Sequence, residues 1–262
     1  MNASADDFVL DQDRGIWTTN VTWHLPDGRQ QLRQIEMLLP DTYQPDRRYR
    51  VVYVLSANGG LDRCLEVIRQ MRAHDRHQVI CVAPELGGWY GNSLTDPGER
   101  RADYLMQVVV PLIEQRLSTV PGPEGRLLLG FSKSGWGALS LILLNPAVFG
   151  YAASWDAPLS WSTEEMDGRF DSGRQYGSLE NYQRHHPVLA ARRDPEPFRH
   201  RARLVVLGRS VWRQDNRFYH EVLTDLGIPH HFDDDLCFPH DWHPGWVGPA
   251  LEALVGLGVC KQ

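Results

Sequence analysis

Ser132 stands in the stretch Gly130-Phe131-Ser132-Lys133-Ser134-Gly135-Trp136-Gly137-Ala138-Leu139. Before it, Arg126 to Leu129 form a short apolar run that suits a buried strand; after it, Ala138 to Leu144 have helical character and end at Asn145-Pro146. A serine on a sharp strand-to-helix turn, with small residues on both sides, is the nucleophile-elbow arrangement. The turn strains the serine backbone and lifts Oγ clear of the sheet, while the following helix offers backbone N–H groups to an oxyanion. Ser134 occupies the place of the second glycine in the G-x-S-x-G pattern, and serine is small enough to keep helix and strand close. Taken alone, the stretch reads equally well as a Gly/Ser turn without chemistry.

A serine hydroxyl is a poor nucleophile at neutral pH and needs a base, an acid that orients the base, and donors for the oxyanion. In an α/β-hydrolase sheet these follow in the order serine, acid, histidine. The histidine belongs in the loop after the last strand, where Phe238-Pro239-His240-Asp241-Trp242 supplies His240, with His243 one helical turn away. His185-His186 and His230-His231 read as surface or packing residues. His230, Asp233, Asp235, His240 and His243 lack a diagnostic metal-ligand spacing, so no metal is expected.

These residues need a scaffold, and the chain offers one. Residues 15–40 alternate apolar and polar around Pro26-Asp27-Gly28-Arg29, the pattern of a β-hairpin. Val51–Leu55, Val79–Ala83, Phe149–Ser154, Leu204–Leu207 and Pro229–Asp233 read as further strands. Helices are expected over Leu61–Ala73, Arg101–Leu117, Asp215–Leu226 and Trp246–Leu257. This alternation predicts an α/β fold with a mostly parallel central sheet and helices on both faces. Residues 157–200, rich in charge, Pro and Gly, form a cap-like insertion, so 1–262 is read as a single domain.

Composition narrows the function classes. At 262 residues, with 42% hydrophobic and 23% charged residues, the chain is an ordinary globular protein with room for a substantial core. The net charge of −6 and scattered basic residues argue against nucleic acid, and no apolar run approaches a membrane span. Met1 to Asp13 is polar and acidic, without a signal-peptide pattern. Cys64, Cys81, Cys237 and Cys260 form no C-x-x-C, which makes a reducing cytoplasm the expected location. Nine tryptophans are many for this length and several flank the candidate site, as core or as pocket lining.

With these pieces in order, the sequence resembles the esterase D-type group of α/β-hydrolases, which includes feruloyl esterases, S-formylglutathione hydrolases and mycolyltransferases. The resemblance runs from about Val51 to Trp246. It rests on Trp89-Tyr90, Val110-Pro111-Leu112-Ile113-Glu114, the Gly130–Leu139 stretch, Asn145-Pro146 with Phe149-Gly150, Asp215-Asn216-Arg217 leading to Leu226-Gly227-Ile228-Pro229, and His240-Asp241-Trp242. It implies a serine hydrolase or acyltransferase without a cofactor, with Ser132 as nucleophile and His240 as base. It also implies oxyanion donors at the Lys133 N–H and, after the strand Val51–Leu55, at the Asn58 N–H, although Ser56-Ala57-Asn58 stands where relatives often begin with His-Gly.

The acid departs from the family pattern. The usual aspartate, about three residues past the strand Leu204–Leu207, aligns with Ser210, which holds no charge. Asp156, just after the preceding strand, reaches the same imidazole geometrically and is the preferred acid; Asp215 is the alternative, or simply a helix N-cap. Trp89, Tyr90 and Trp155 lie beside loops at the strand C-terminal ends, where such sheets bind ligands, and are expected to touch substrate. The expected function is a serine esterase acting on a small-molecule or carbohydrate ester, as monomer or homo-oligomer. Acyl transfer with the same residues, or an inactive hydrolase-fold binding protein, are the alternatives.

Overall fold

A computed structural model of the chain describes residues 3–57, 61, 63–160 and 175–258. Ten strands form one sheet: β1 (Ala3–Ala5), β2 (Val9–Asp11), β3 (Ile16–His24), β4 (Gln30–Leu38), β5 (Arg50–Leu55), β6 (Val79–Pro84), β7 (Arg126–Phe131), β8 (Tyr151–Trp155), β9 (Leu204–Leu207) and β10 (His230–Asp233). They lie in the order β1-β3-β4-β6-β5-β7-β8-β9-β10, with β2 beside β3. From β6 to β10 neighbouring strands are parallel, whereas β1 to β4 and the β4–β6 pair are antiparallel. The fold is thus an α/β-hydrolase sheet carrying an antiparallel hairpin edge. The hairpin expected around Pro26–Arg29 is β3–β4, closed by Leu25 N–H donating to the Arg29 carbonyl at 2.8 Å, with Gly28 at φ 84°.

Both faces of the sheet are covered, and the strand sequences show why. In β5, Val51, Tyr53 and Leu55 enter one core, while Val52 and Val54 enter the other. The same alternation separates Leu204 and Val206 from Val205 and Leu207 in β9. With both sides buried, the strands read as continuous apolar runs. One core holds helices α1 (Cys64–Gln70) and α9 (Pro244–Gly256). The other holds α5 (Lys133–Leu144), α8 (Arg213–Asp225) and a segmented helix. That helix runs as α3 (Arg101–Tyr104), a π-helical stretch (Leu105–Val109) and α4 (Val110–Arg116). The wide turn sits just before Pro111, whose missing N–H leaves a carbonyl of the preceding turn without its helical partner. A short α2 (Ala73–Arg76) follows α1.

Ten of the twelve residues of α5 are buried, because it lies between the sheet and helices α6 (Leu179–His185) and α7 (Pro187–Arg193). The described part of the 157–200 insertion is therefore packed: the Ser140 hydroxyl donates to the His185 carbonyl at 2.5 Å, and Tyr182 stacks with Trp136. Residues 161–174 of the expected cap lie outside the described residues.

Candidate active site

Four loops meet at the C-terminal ends of the parallel strands, the edge where such sheets bind ligands. The first is the β7–α5 turn. Ser132 sits there at φ 53° and ψ −125°, immediately before Lys133 opens α5. A non-glycine residue in this region costs about 1–3 kcal/mol and persists only where its surroundings hold it. Here the Ser132 N–H donates to the Trp155 carbonyl at 3.1 Å, and its carbonyl accepts from the Trp136 N–H at 3.1 Å. Ser134 adds a clasp: its hydroxyl accepts from the Phe131 N–H (2.9 Å) and donates to the Phe131 carbonyl (2.8 Å). Serine in place of the second glycine therefore ties the turn together. Gly130 is needed as it stands, since a Cβ there would overlap the backbone carbonyl of Ser134.

Asp156 follows β8 and is fully buried, with φ 45°. Ser132 and Asp156 are thus two of four non-glycine residues at positive φ among the described residues. The Asp156 N–H donates to the Leu207 carbonyl at 3.1 Å. Its carboxylate accepts from the Val211 N–H (3.2 Å to Oδ2) and the Trp212 N–H (2.7 Å to Oδ1). A buried charge needs such donors, and hydrogen bonds to charged groups contribute about 1.5–3 kcal/mol each. The donors come from the turn that carries Ser210. That turn holds an acid from the neighbouring strand instead of supplying one.

His240 closes the site. Its Nδ1 lies 2.5 Å from Asp156 Oδ2 and its Nε2 lies 3.0 Å from Ser132 Oγ. An ionised carboxylate only accepts, so Nδ1 carries the proton and Nε2 keeps a lone pair toward the serine hydroxyl. The imidazole rests on Phe131, centroids 4.6 Å apart, and Phe131 in turn packs on Trp155 and Trp242. His243 plays another part: its Nδ1 accepts from the Gly245 N–H at 3.0 Å and caps α9.

The structure brings Ser132, His240 and Asp156 together and sets Lys133 at the first position of α5, whose N-terminal end carries partial positive charge. Asp215 has a different contact: the Ser160 hydroxyl donates to its carboxylate. The expected Asn58 donor lies outside the described residues. The three aromatics expected at substrate need correction, because their rings are packed. Trp155 is fully buried between Phe131 and Trp242, on the α9 side of the sheet. Trp89 is 3% exposed and meets Trp136 edge-on at 5.2 Å. Tyr90 is 1% exposed and lies over Gly137 of α5, where a missing Cβ makes room for the ring. In the sequence, only the uncharged Ser210 beside them points to the Val211 and Trp212 N–H groups as donors.

Among the described residues, no group of three or more His, Cys, Asp or Glu side chains is arranged to hold a metal ion. Among the same residues, no helix is long and apolar enough to cross a membrane.

Comparison with known proteins follows the same lines. The sequence profile of the Esterase family matches residues 29–218. An esterase of Mycobacterium tuberculosis is 31% identical over 134 residues, which is 48% of this chain and 29% of that protein, so the match spans less than a third of the relative. Among solved structures, an S-formylglutathione hydrolase from Agrobacterium tumefaciens superposes with a TM-score of 0.72 at 14% identity, covering 98% of this chain and 99% of the other. A ferulic acid esterase from Anaeromyces mucronatus gives 0.59 at 18% identity, covering 96% and 98%. At these identities the likeness is one of fold.

Proposed function

The chain belongs to the Esterase family, and from that premise we propose that it is a serine hydrolase of carboxylic esters, with Ser132, His240 and Asp156 as its triad. The observation that carries this reading is the continuous chain of contacts from Ser132 Oγ to His240 Nε2 and from His240 Nδ1 to Asp156. His240 takes the hydroxyl proton as Ser132 Oγ attacks the ester carbonyl, and buried Asp156 stabilises the imidazolium that forms. The negative oxygen of the tetrahedral intermediate is held by the Lys133 N–H and by the Asn58 N–H. His240 then protonates the departing alcohol. Water, activated by the same imidazole, releases the acid from the acyl-enzyme. Each step is served by side chains and backbone of this chain.

The substrate inferred is an ester of a carbohydrate or an aromatic acid, in keeping with the ferulic acid esterase among the structural neighbours. A reducing, cytoplasmic setting suits Cys81 and Cys237, which are free thiols.

Incubation with a fluorophosphonate probe tests the reading. Wild type should label with one equivalent and Ser132→Ala should not label at all. An unlabelled wild type, or labelling that survives in Ser132→Ala, removes Ser132 as the activated nucleophile.

A further inference from the structure

We propose that Asn216 is a positioning residue, whose carboxamide pins the turn that holds Asp156 toward His240. The inference rests on the triad reading above.

The two N–H groups that meet the Asp156 carboxylate, those of Val211 and Trp212, lie in the turn between β9 and α8. The near end of that turn is tied to the neighbouring chain: the Gly208 and Arg209 N–H groups donate to the Asp233 and Leu236 carbonyls. Beyond it the support thins. Val211 is 62% exposed, and Trp212 precedes the helix with a non-helical backbone, φ −105° and ψ 32°. The far end is held through the Trp212 carbonyl, which accepts the Asn216 backbone N–H at 3.0 Å and the Asn216 side-chain Nδ2 at 2.6 Å. One line of contacts therefore runs from α8 to the base: Asn216 to Trp212, Trp212 to Asp156 at 2.7 Å, and Asp156 to His240.

The stability of the helix does not call for an amide at this place. Asparagine is a weak helix former, because its side chain competes for nearby backbone groups, and the backbone N–H already makes the helical bond to Trp212. Asn216 is also fully buried, and its Oδ1 has no hydrogen-bond partner among the described residues. A buried polar atom left unpaired is costly, and an apolar side chain would avoid that cost. What the amide adds is a second, directional hold on Trp212. Replacing a triad acid costs about 10⁴-fold in kcat, and an acid that is kept but turned out of line costs a share of that. The imidazolium that Asp156 stabilises forms only as Ser132 attacks, so the loss falls on kcat and leaves substrate binding unaltered.

Asn216→Leu keeps the branching of the side chain and removes the donor, and Asn216→Ala removes it without adding bulk. Tyr219→Phe is the control: Tyr219 follows on the same helix, is fully buried, and its hydroxyl has no hydrogen-bond partner among the described residues. With p-nitrophenyl acetate as substrate, both Asn216 variants should lower kcat by about tenfold, with KM within about twofold of wild type. Both should still take up one equivalent of fluorophosphonate, only more slowly, which separates a misplaced acid from unfolded protein. Tyr219→Phe should match wild type. In an Asp156→Asn background, Asn216→Ala should change kcat by less than about twofold, because the group it acts through is gone. An unchanged kcat in the Asn216 variants, an equal loss in Tyr219→Phe, or a full tenfold loss in the Asp156→Asn background overturns the inference, while labelling at Ser132 leaves the esterase reading standing. A wild type that does not label overturns both.

Discussion

An acid that enters from the end of β8 is held by different groups from one in the loop after β9. Asp156 accepts from the Val211 and Trp212 N–H groups and has its backbone at positive φ, so its orientation is built in. Asp215 shares the charge but faces the Ser160 hydroxyl. The two aspartates therefore separate cleanly by substitution. Asp156→Asn keeps the shape but offers His240 an amide, whose N–H favours the wrong tautomer; kcat should fall by about 10⁴-fold with the fold intact. Asp215→Asn should keep kcat within a few-fold and lose about 1 kcal/mol of stability, because a part-buried hydrogen bond is weakened. Ester kinetics and urea unfolding on both variants check this. A catalytic loss confined to Asp215→Asn would transfer the acid's role to that residue.

At the scale of elements, His240, the proposed base, is only as well placed as the loop between β10 and α9. Phe238 in that loop packs between His243 and Trp246, and the Trp246 indole N–H donates to the Pro239 carbonyl at 2.8 Å, one residue before His240. Trp246→Phe keeps most of the ring and removes that bond. We expect kcat to drop by about tenfold through misplacement of the imidazole, with stability lower by about 1–2 kcal/mol. Steady-state kinetics beside a denaturation curve decides it, and an unchanged kcat would show that the loop holds itself. Much of this framework was legible in sequence, for a definite reason: strands buried on both faces, such as Val51–Leu55 and Leu204–Leu207, have no polar side and so stand out as apolar runs. Strands β1 and β2 escaped notice because three residues at a sheet edge have no period to read. Ser132, His240 and Asp156 are legible as a candidate triad from their places relative to strands. The aromatic readings failed because residue type does not say which face a ring takes: Trp155 at the end of β8 turns toward α9, and Tyr90 fits a gap that only Gly137 leaves.

Across the whole molecule, several buried or half-buried histidines are biased toward their neutral form. Burial is the main cause that holds His74, His185 and His230 below the ordinary histidine value; nearby Asp41 and Asp75 oppose it at His74, and backbone carbonyls oppose it at His185 and His230. The contacts of His185 make the constraint concrete. Its Nδ1 donates to the Asn181 carbonyl at 2.7 Å, which leaves Nε2 to accept the Asn92 N–H at 3.4 Å. A second proton on Nε2 would set two donors against each other. Below the ordinary value of about 6.5, the unfolded chain therefore binds protons that the folded protein does not. The stability these groups contribute is complete above that pH and is lost as the pH falls through it toward their depressed folded values. Each such histidine adds a slope of at most about 1.4 kcal/mol per pH unit. Urea unfolding between pH 8 and 5.5, a window above most carboxylate titration, should show a plateau at the alkaline end and a decline below about pH 6.5. His185→Gln, whose side chain can both donate and accept without taking a proton, should show a shallower decline. A profile that stays flat to pH 5.5, or the same slope in His185→Gln as in wild type, would mean that these imidazoles become charged without opening the fold.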